Sequence, residues 1–328
     1  MRKNSIACLF IASATVADAA TFSQASAQTY PTKPIHVIVP VPPAALTDVI
    51  SRRIALDASA KMGQPWIMEN KPGANFMPAA EACRHASADG YTLCIFTTST
   101  LTFNPHLIDN LPYNPETDFV PIINLGMLTG GLVASPKLGV KNIGDLRALA
   151  QSKPGQLNFG TYGPASSANV FRQYINDRWK TNIVEVGYKG ANELVAALIS
   201  GEIQMTWTAL GNWSDNPNDS KGKVMVADSL KRSPKMPNVP TYAEAGLGDY
   251  PIHTWMALFA PRGVPVNIVA QINKTVAETI NQPAMMEFLA NQLIEPMVTS
   301  PQEFAAYIMK ERNETGKIFR RFNIPKIK

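Results

Sequence analysis

The chain has 328 residues, 45% of them hydrophobic and 17% charged, with a formal charge of +5. That length exceeds what one hydrophobic core usually serves and predicts two packed lobes. A modest charge, spread without a basic block, excludes nucleic acid as the expected partner and leaves a mild attraction for anions.

The chain opens on a targeting segment. Arg2 and Lys3 precede an uncharged, mostly apolar run from Ile6 to Ala17, and small residues end in Ala25-Ser26-Ala27, the layout of a secretory signal peptide. The run is about a dozen residues, short of the roughly 20 that a spanning helix needs. Cleavage over residues 1–27 is therefore expected, leaving 301 residues that carry +4. Cys8 lies inside the run rather than behind a lipobox, so no lipid anchor is expected. No later apolar run approaches spanning length, and the expected location is the periplasm.

From residue 28 onward, short apolar runs alternate with helical stripes. Ile35 to Val39 reads as a strand and Val49 to Met62 as a helix, with Ile50, Ile54, Ala58 and Met62 on one face. Trp66 to Met68, a helix near Ala79 to Ala86, and the strand Tyr91 to Phe96 continue the pattern. The middle repeats it: Leu132 to Ala134, Ile143 to Ser152, Leu157 to Phe159, a helix from near Ser166, Ile183 to Val186, Asn192 to Ser200, and Ile203 to Thr208. A polar stretch from Gly211 to Gly222 reads as a loop. Thr254 to Ala260 is a strand, and Ile268, Val269, Ile272, Val276 and Ile280 mark an amphipathic helix. The terminal stripe carries Phe304, Tyr307, Ile308 and Phe319.

This alternation predicts an α/β fold with mostly parallel sheets and helices on both faces. Lobe one is expected to hold residues 28–127 plus 252–328 and lobe two residues 128–251. The crossings are expected near Asn124 to Leu128 and His253 to Leu258, with the ligand cleft between the lobes. Cys83 reads as helical and Cys94 as strand, so one αβ unit could bring them together. Two buried thiols are the favoured reading and a disulfide the alternative, since cysteine packs as a small hydrophobe.

Ligands in open α/β sheets bind beyond the carboxyl ends of strands, where helix starts offer unpaired N–H groups and a positive dipole end. Three strand-to-helix loops rich in hydroxyls and small residues qualify: Pro42-Pro43-Ala44-Ala45-Leu46-Thr47-Asp48, Thr97-Thr98-Ser99-Thr100, and Gly160 to Ser167 with Tyr162, Gly163 and Ala165. Such a loop can hold a carboxylate without a formal cation. Ser166 and Ser167 are the foremost candidates, with helix capping as their alternative role. Asp48 reads first as a cap.

Several stretches resemble one family in order and separation. They are Tyr30-Pro31-Thr32-Lys33-Pro34-Ile35, Val39 to Pro43 ending in Thr47-Asp48, Glu69 to Ala74, Asp89 to Leu93, Asn104 to Leu107, Leu111-Pro112-Tyr113, Tyr188-Lys189-Gly190, Val239-Pro240-Thr241 and Glu244-Ala245-Gly246. The chain resembles the Bug group of periplasmic solute-binding proteins, which serve tripartite tricarboxylate transporters. The resemblance implies a two-lobed Venus-flytrap fold of the type II class, with a small carboxylate held by loop amides, hydroxyls and waters. It also implies integral-membrane transporter subunits as partners. By position, the contacts would come from Pro42 to Asp48, Thr98 to Thr100, Gly163 to Ser167 and Tyr188 to Gly190. A monomer without cofactor or metal is expected.

Departures from the family pattern bear on the ligand. Ala44-Ala45 replaces a usual glycine pair, Asn75-Phe76 replaces another, and Thr208 stands at a commonly acidic position. These changes point away from an amine-bearing ligand and toward a bulkier or aromatic acid, unless Phe76 and Trp207 simply pack. The mature histidines, His36, His85, His106 and His253, have structural settings, and no nucleophile-elbow, zinc-protease or P-loop motif occurs. Asp215, Asp219 and Asp228 read as solvated loop charge. A transport receptor is the leading function, with a periplasmic sensing partner as the alternative and an enzyme disfavoured.

Overall fold

The computed structural model describes residues 30–163, 166–188, 191–213, 220–229, 231–248 and 250–326. The expected signal segment and, among the site candidates, Ala165, Lys189 and Gly190 lie outside them, as do Asp215 and Asp219. Apolar runs bounded by Pro and Gly form β1 (Ile35–Val39), β2 (Trp66–Asn70) and β3 (Thr92–Thr97), and the stripes between them form α1 (Leu46–Met62) and α2 (Met77–Arg84). A short α3 (Asn104–Leu107) leads to the long β4 (Phe119–Leu128). Then come β5 (Gly130–Ala134), α4 (Ile143–Ser152), β6 (Asn158–Thr161), α5 (Ser167–Trp179), β7 (Val184–Gly187), α6 (Ala191–Ser200), β8 (Met205–Ala209) and β9 (Lys223–Ala227). The chain returns as β10 (Thr254–Pro261), α7 (Val266–Ile280), α8 (Pro283–Asn291), β11 (Ile294–Glu295) and α9 (Pro301–Arg321).

Two sheets result, one of six strands in the order β11-β4-β10-β3-β1-β2 and one of five in the order β7-β6-β8-β5-β9. The period-two alternation of a strand shows in β3. Leu93 and Ile95 join the core under α1 and α7, whereas Cys94 and Phe96 join the core under α2 and α9. Both faces are thus covered, in keeping with the α/β class. The expectation of mostly parallel pairing needs correction. β1 pairs in parallel with β2 and β3, and β6 with β7 and β8, but β10 is antiparallel to β3 and β4, β11 to β4, and β5 to β8 and β9. Parallel pairing requires a crossover helix. The strands that carry the chain between sheets lack one, so they return antiparallel.

The disulfide alternative is the one realised. Cys83 on the inner face of α2 and Cys94 on β3 have Cα atoms 6.1 Å apart and are joined by an S–S bond. Packing of α2 directly on β3 brings both Cβ atoms within bridging reach, which the burial of cysteine as a hydrophobe did not anticipate.

Register fixes how the two sheets face each other. Leu128, at the end of β4, lies opposite Thr254 at the start of β10, and Thr97, at the end of β3, pairs with Met256. In the second sheet Gly130 lies opposite Ala209 at the end of β8, and Gly131 opposite Ala227 at the end of β9. The carboxyl ends of β1, β3, β6 and β8 therefore share edges with both crossings. Packing at the first crossing excludes side chains: a Cβ at Gly130 would lie 2.2 Å from the Trp207 ring and one at Gly131 2.5 Å from the Val226 carbonyl oxygen. The last helix also ties the layers together. Phe319 packs in the cluster of Leu132, Phe159 and Phe171, and Arg321 pairs with Asp177.

Candidate ligand cleft

The first wall is the start of α1. Its N-cap position is Ala45, which has no side chain to cap the helix, so the first-turn N–H groups gain no hydroxyl or carboxylate partner from that residue. Pro42, Pro43 and Ala44 are exposed, Ala45 is half-buried, and Thr47 is buried. Asp48 is not an open ligand contact. It is 1% exposed, and its oxygens accept from Ala44 N–H at 2.9 Å, Arg52 Nε at 2.9 Å and Asn70 Nδ2 at 2.8 Å. Burial alone would raise its pKa, but these donors outweigh it and hold the carboxyl below its ordinary value. Asp48 therefore braces the loop from behind.

The loop after β3 supplies a second part of the same wall. Thr98 Oγ1 donates to the His253 carbonyl at 3.0 Å and accepts from Trp255 N–H at 2.9 Å. It fastens the loop to β10 and is committed. Thr100 is fully buried, its Oγ1 without a partner among the described residues, and its carbonyl accepts from Tyr113 OH at 2.8 Å. Ser99 is half-buried. Thr97 Oγ1, at the strand's carboxyl end, is buried without a hydrogen-bond partner among the described residues.

The second wall is the start of α5. Ser166 is a true cap: its Oγ accepts from Asn169 N–H at 3.3 Å and donates to the Gly163 carbonyl at 2.7 Å. Ser167, the first helical residue, is half-buried and has no side-chain partner among the described residues. Tyr162 is 47% exposed, and Gly163 N–H donates to Thr161 Oγ1 at 3.0 Å. Tyr188 is tied to this loop by its N–H on the Thr161 carbonyl at 2.8 Å, with its phenol on Glu202 at 2.9 Å. Thr208 is half-buried beside Gly131. The walls approach closely just past β8, where a Cβ at Gly211 would lie 3.3 Å from Leu46 Cδ2 and 2.8 Å from the Gln292 carbonyl.

A titratable cluster occupies the second crossing. Asp228, read from sequence as solvated loop charge, is instead buried against His253, whose Nδ1 lies 3.0 Å from both its oxygens. The end of β9 turns its carboxylate inward. His253 N–H donates to Glu311 on α9 at 3.4 Å, and Trp255 Nε1 donates to the same carboxyl at 2.6 Å. Burial pushes Glu311 up to about 7. For His253 burial works downward, but the bond to Asp228 and the charges of Asp228, Glu311 and Glu295 outweigh it and raise the imidazole above its ordinary value. Two surface depressions of about 340 and 350 Å³ lie elsewhere, around Lys33 and His36 and around Arg84 and Asp118, and no helix start opens into them.

Residues 50–324 match the family of the tripartite tricarboxylate transporter receptor. The chain belongs to the tripartite tricarboxylate transporter receptor family. Protein BugT of Bordetella pertussis is 30% identical over 304 residues, covering 92% of each chain. A Rhodopseudomonas palustris protein solved with adipate superposes with a TM-score of 0.82 at 27% identity, covering 91% of this chain and 100% of that one. MatC of the same organism, solved with malate, gives 0.75 at 27% identity over 88% and 99%. The family is one of periplasmic solute-binding receptors rather than of enzymes.

Within this receptor frame three of the four positions where the sequence departs from expected glycines keep a left-handed backbone, and Ala45, at φ −67°, does not. Ala44, Asn75 and Phe76 have φ of +66°, +52° and +61°, a region that opposes a Cβ by roughly 1–2 kcal/mol per residue. Phe76 is half-buried and belongs to none of the apolar clusters, whereas Trp207 packs in the core with Nε1 on Tyr242 OH at 2.6 Å. The receptor's crossing cluster escaped the sequence reading. Asp228 and His253 are separated by 25 positions and share no spacing signal.

Proposed function

We propose that this chain is the extracytoplasmic receptor of a tripartite tricarboxylate-type transporter and captures a small carboxylate between two lobes. Lobe one is residues 28–127 plus 252–328, and lobe two residues 128–251. The observation that carries this reading is the pair of helix starts at the carboxyl edges of the two sheets. α1 has no side-chain cap, and α5 offers the open hydroxyl of Ser167 next to the committed cap Ser166. First-turn N–H groups and the dipole end favour an anion at each. Similarity to receptors solved with adipate and with malate supports an acid of that kind, and Phe76 at the margin of the loops supports one with apolar bulk.

Cleavage after Ala27 would release a periplasmic monomer, and closure of the lobes on the acid would form the surface that the membrane subunits read. A thermal-shift screen of mono-, di- and tricarboxylates tests the reading. A bound acid at about 100 times its Kd adds about 2.7 kcal/mol to folding stability, so at least one acid should raise the midpoint. A flat response across the panel would refute it.

A further inference from the structure

His253 stands outside the loops that carry the helix starts, one residue before β10 at the second crossing. Its backbone is fixed on both sides: the carbonyl accepts from Thr98 Oγ1 at 3.0 Å, and the N–H donates to Glu311 at 3.4 Å. Thr98 belongs to the loop of the first wall, so the imidazole is anchored beside that loop. Nδ1 meets both Asp228 oxygens at 3.0 Å. The side chain of Asp228 is 8% exposed, whereas that of His253 is 41% exposed. The ring therefore has a buried edge, occupied by a carboxylate, and an accessible edge. A carboxylate on Nδ1 fixes the tautomer and aims Nε2–H the other way. Among the described residues Nε2 has no hydrogen-bond partner.

The surrounding charges favour a cation here. Glu311 acts on the ring from α9, Glu295 from β11, and Asp228 from the end of β9, with Tyr307 hydrogen-bonded to Glu311 and Lys231 the opposing charge near Glu295. These carboxylates raise the imidazole above its ordinary value. The first turn of α1 carries Asp48, already paired with Arg52, and the start of α5 carries no charged side chain, so among the described residues His253 would be the titratable cation beside these loops.

We propose that His253 reads the ligand: its Nε2–H, aimed by Asp228, receives the second carboxylate of a dicarboxylate whose first carboxylate sits at the helix starts. This role rests on the carboxylate reading above and narrows it to a dicarboxylate. The ion pair forms only with the protonated ring, so discrimination between diacid and monoacid fades as pH rises.

The test is calorimetric titration of the mature chain with adipate and with hexanoate, which lacks the second carboxylate. Adipate affinity is expected to fall about tenfold between about pH 6 and pH 8.5, while the weaker hexanoate affinity stays level. His253→Asn should bring adipate at the lower pH down to the wild-type affinity at the higher pH, and Asp228→Asn should move the fall to lower pH. Equal adipate affinity in wild type and His253→Asn at the lower pH would overturn the proposal. Equal losses for both acids would overturn it too, since a residue that only braces the crossing affects every ligand alike. A wild-type chain that binds neither acid would overturn the role of His253, whereas the carboxylate reading itself falls only if the whole acid panel gives no response. Should His253→Asn fail to fold, His253→Gln and the Asp228→Asn pH midpoint decide the matter.

Discussion

Glu311 ties stability to pH in a way that one substitution can isolate. Its residue is 5% exposed, its carboxyl accepts from Trp255 Nε1 at 2.6 Å, and burial pushes its pKa from 4.5 to about 7. Between those values the folded state keeps a proton that the unfolded chain has released. The stabilisation is therefore complete below about pH 4.5 and is lost as pH rises through about 7. At about 1.4 kcal/mol per pH unit, the distance between the two values sets an upper limit of a few kcal/mol. Most of that falls between pH 5 and pH 8. Glu311→Gln keeps the shape and an acceptor for Trp255 while removing the titration. Thermal midpoints followed by circular dichroism should then show the wild type losing about 5 °C more than the variant over that interval. His253, whose raised pKa acts in the same direction, leaves a smaller slope in the variant. Parallel slopes in the two proteins would refute the account of the buried carboxyl.

Other expectations address the cleft loops and the bridge. Ser166→Ala should lower stability by about 1 kcal/mol through loss of the cap, whereas Ser167→Ala should leave the midpoint in place and weaken acid binding; denaturation and calorimetry separate the two roles. Ala44→Gly, at φ +66°, should raise stability by about 0.5–1 kcal/mol in urea unfolding, because relief of left-handed strain exceeds the added chain entropy. Reduction of the Cys83–Cys94 bridge, whose cysteines are 11 positions apart, should lower stability by about 3 kcal/mol. Thiol titration of the denatured, unreduced mature protein should find no free cysteine.

What the sequence could reveal followed from periodicity. The stripe Ile268 to Ile280 identified α7, and the apolar runs identified β1, β3 and β10, because burial of one face imposes a repeat that can be counted. Strand direction leaves no such trace. β10 reads as the same apolar run whether parallel or antiparallel, and its pairing with β4 follows only from how the chain re-crosses between sheets. The loops were legible as places, since β1 and β6 end in turn formers ahead of helices, but not as roles. Ser166 and Ser167 are adjacent and chemically identical, and only backbone geometry makes one a cap and leaves the other open. Asp48 reads from sequence as a cap, whereas in the fold it pairs with Arg52 at i,i+4 and Asn70 completes the network from another strand. Glu311 sits in a helix of charged residues, and burial of that one face position by Trp255 and Tyr307 has no local signature.

The most direct test of a carboxylate receptor is a calorimetric titration of mature protein stripped of bound ligand by unfolding and refolding. Saturable heat from a small carboxylate at one site per chain, weakened in Ser167→Ala, is the expected result. No heat from any acid in a chain shown to be refolded would contradict the account.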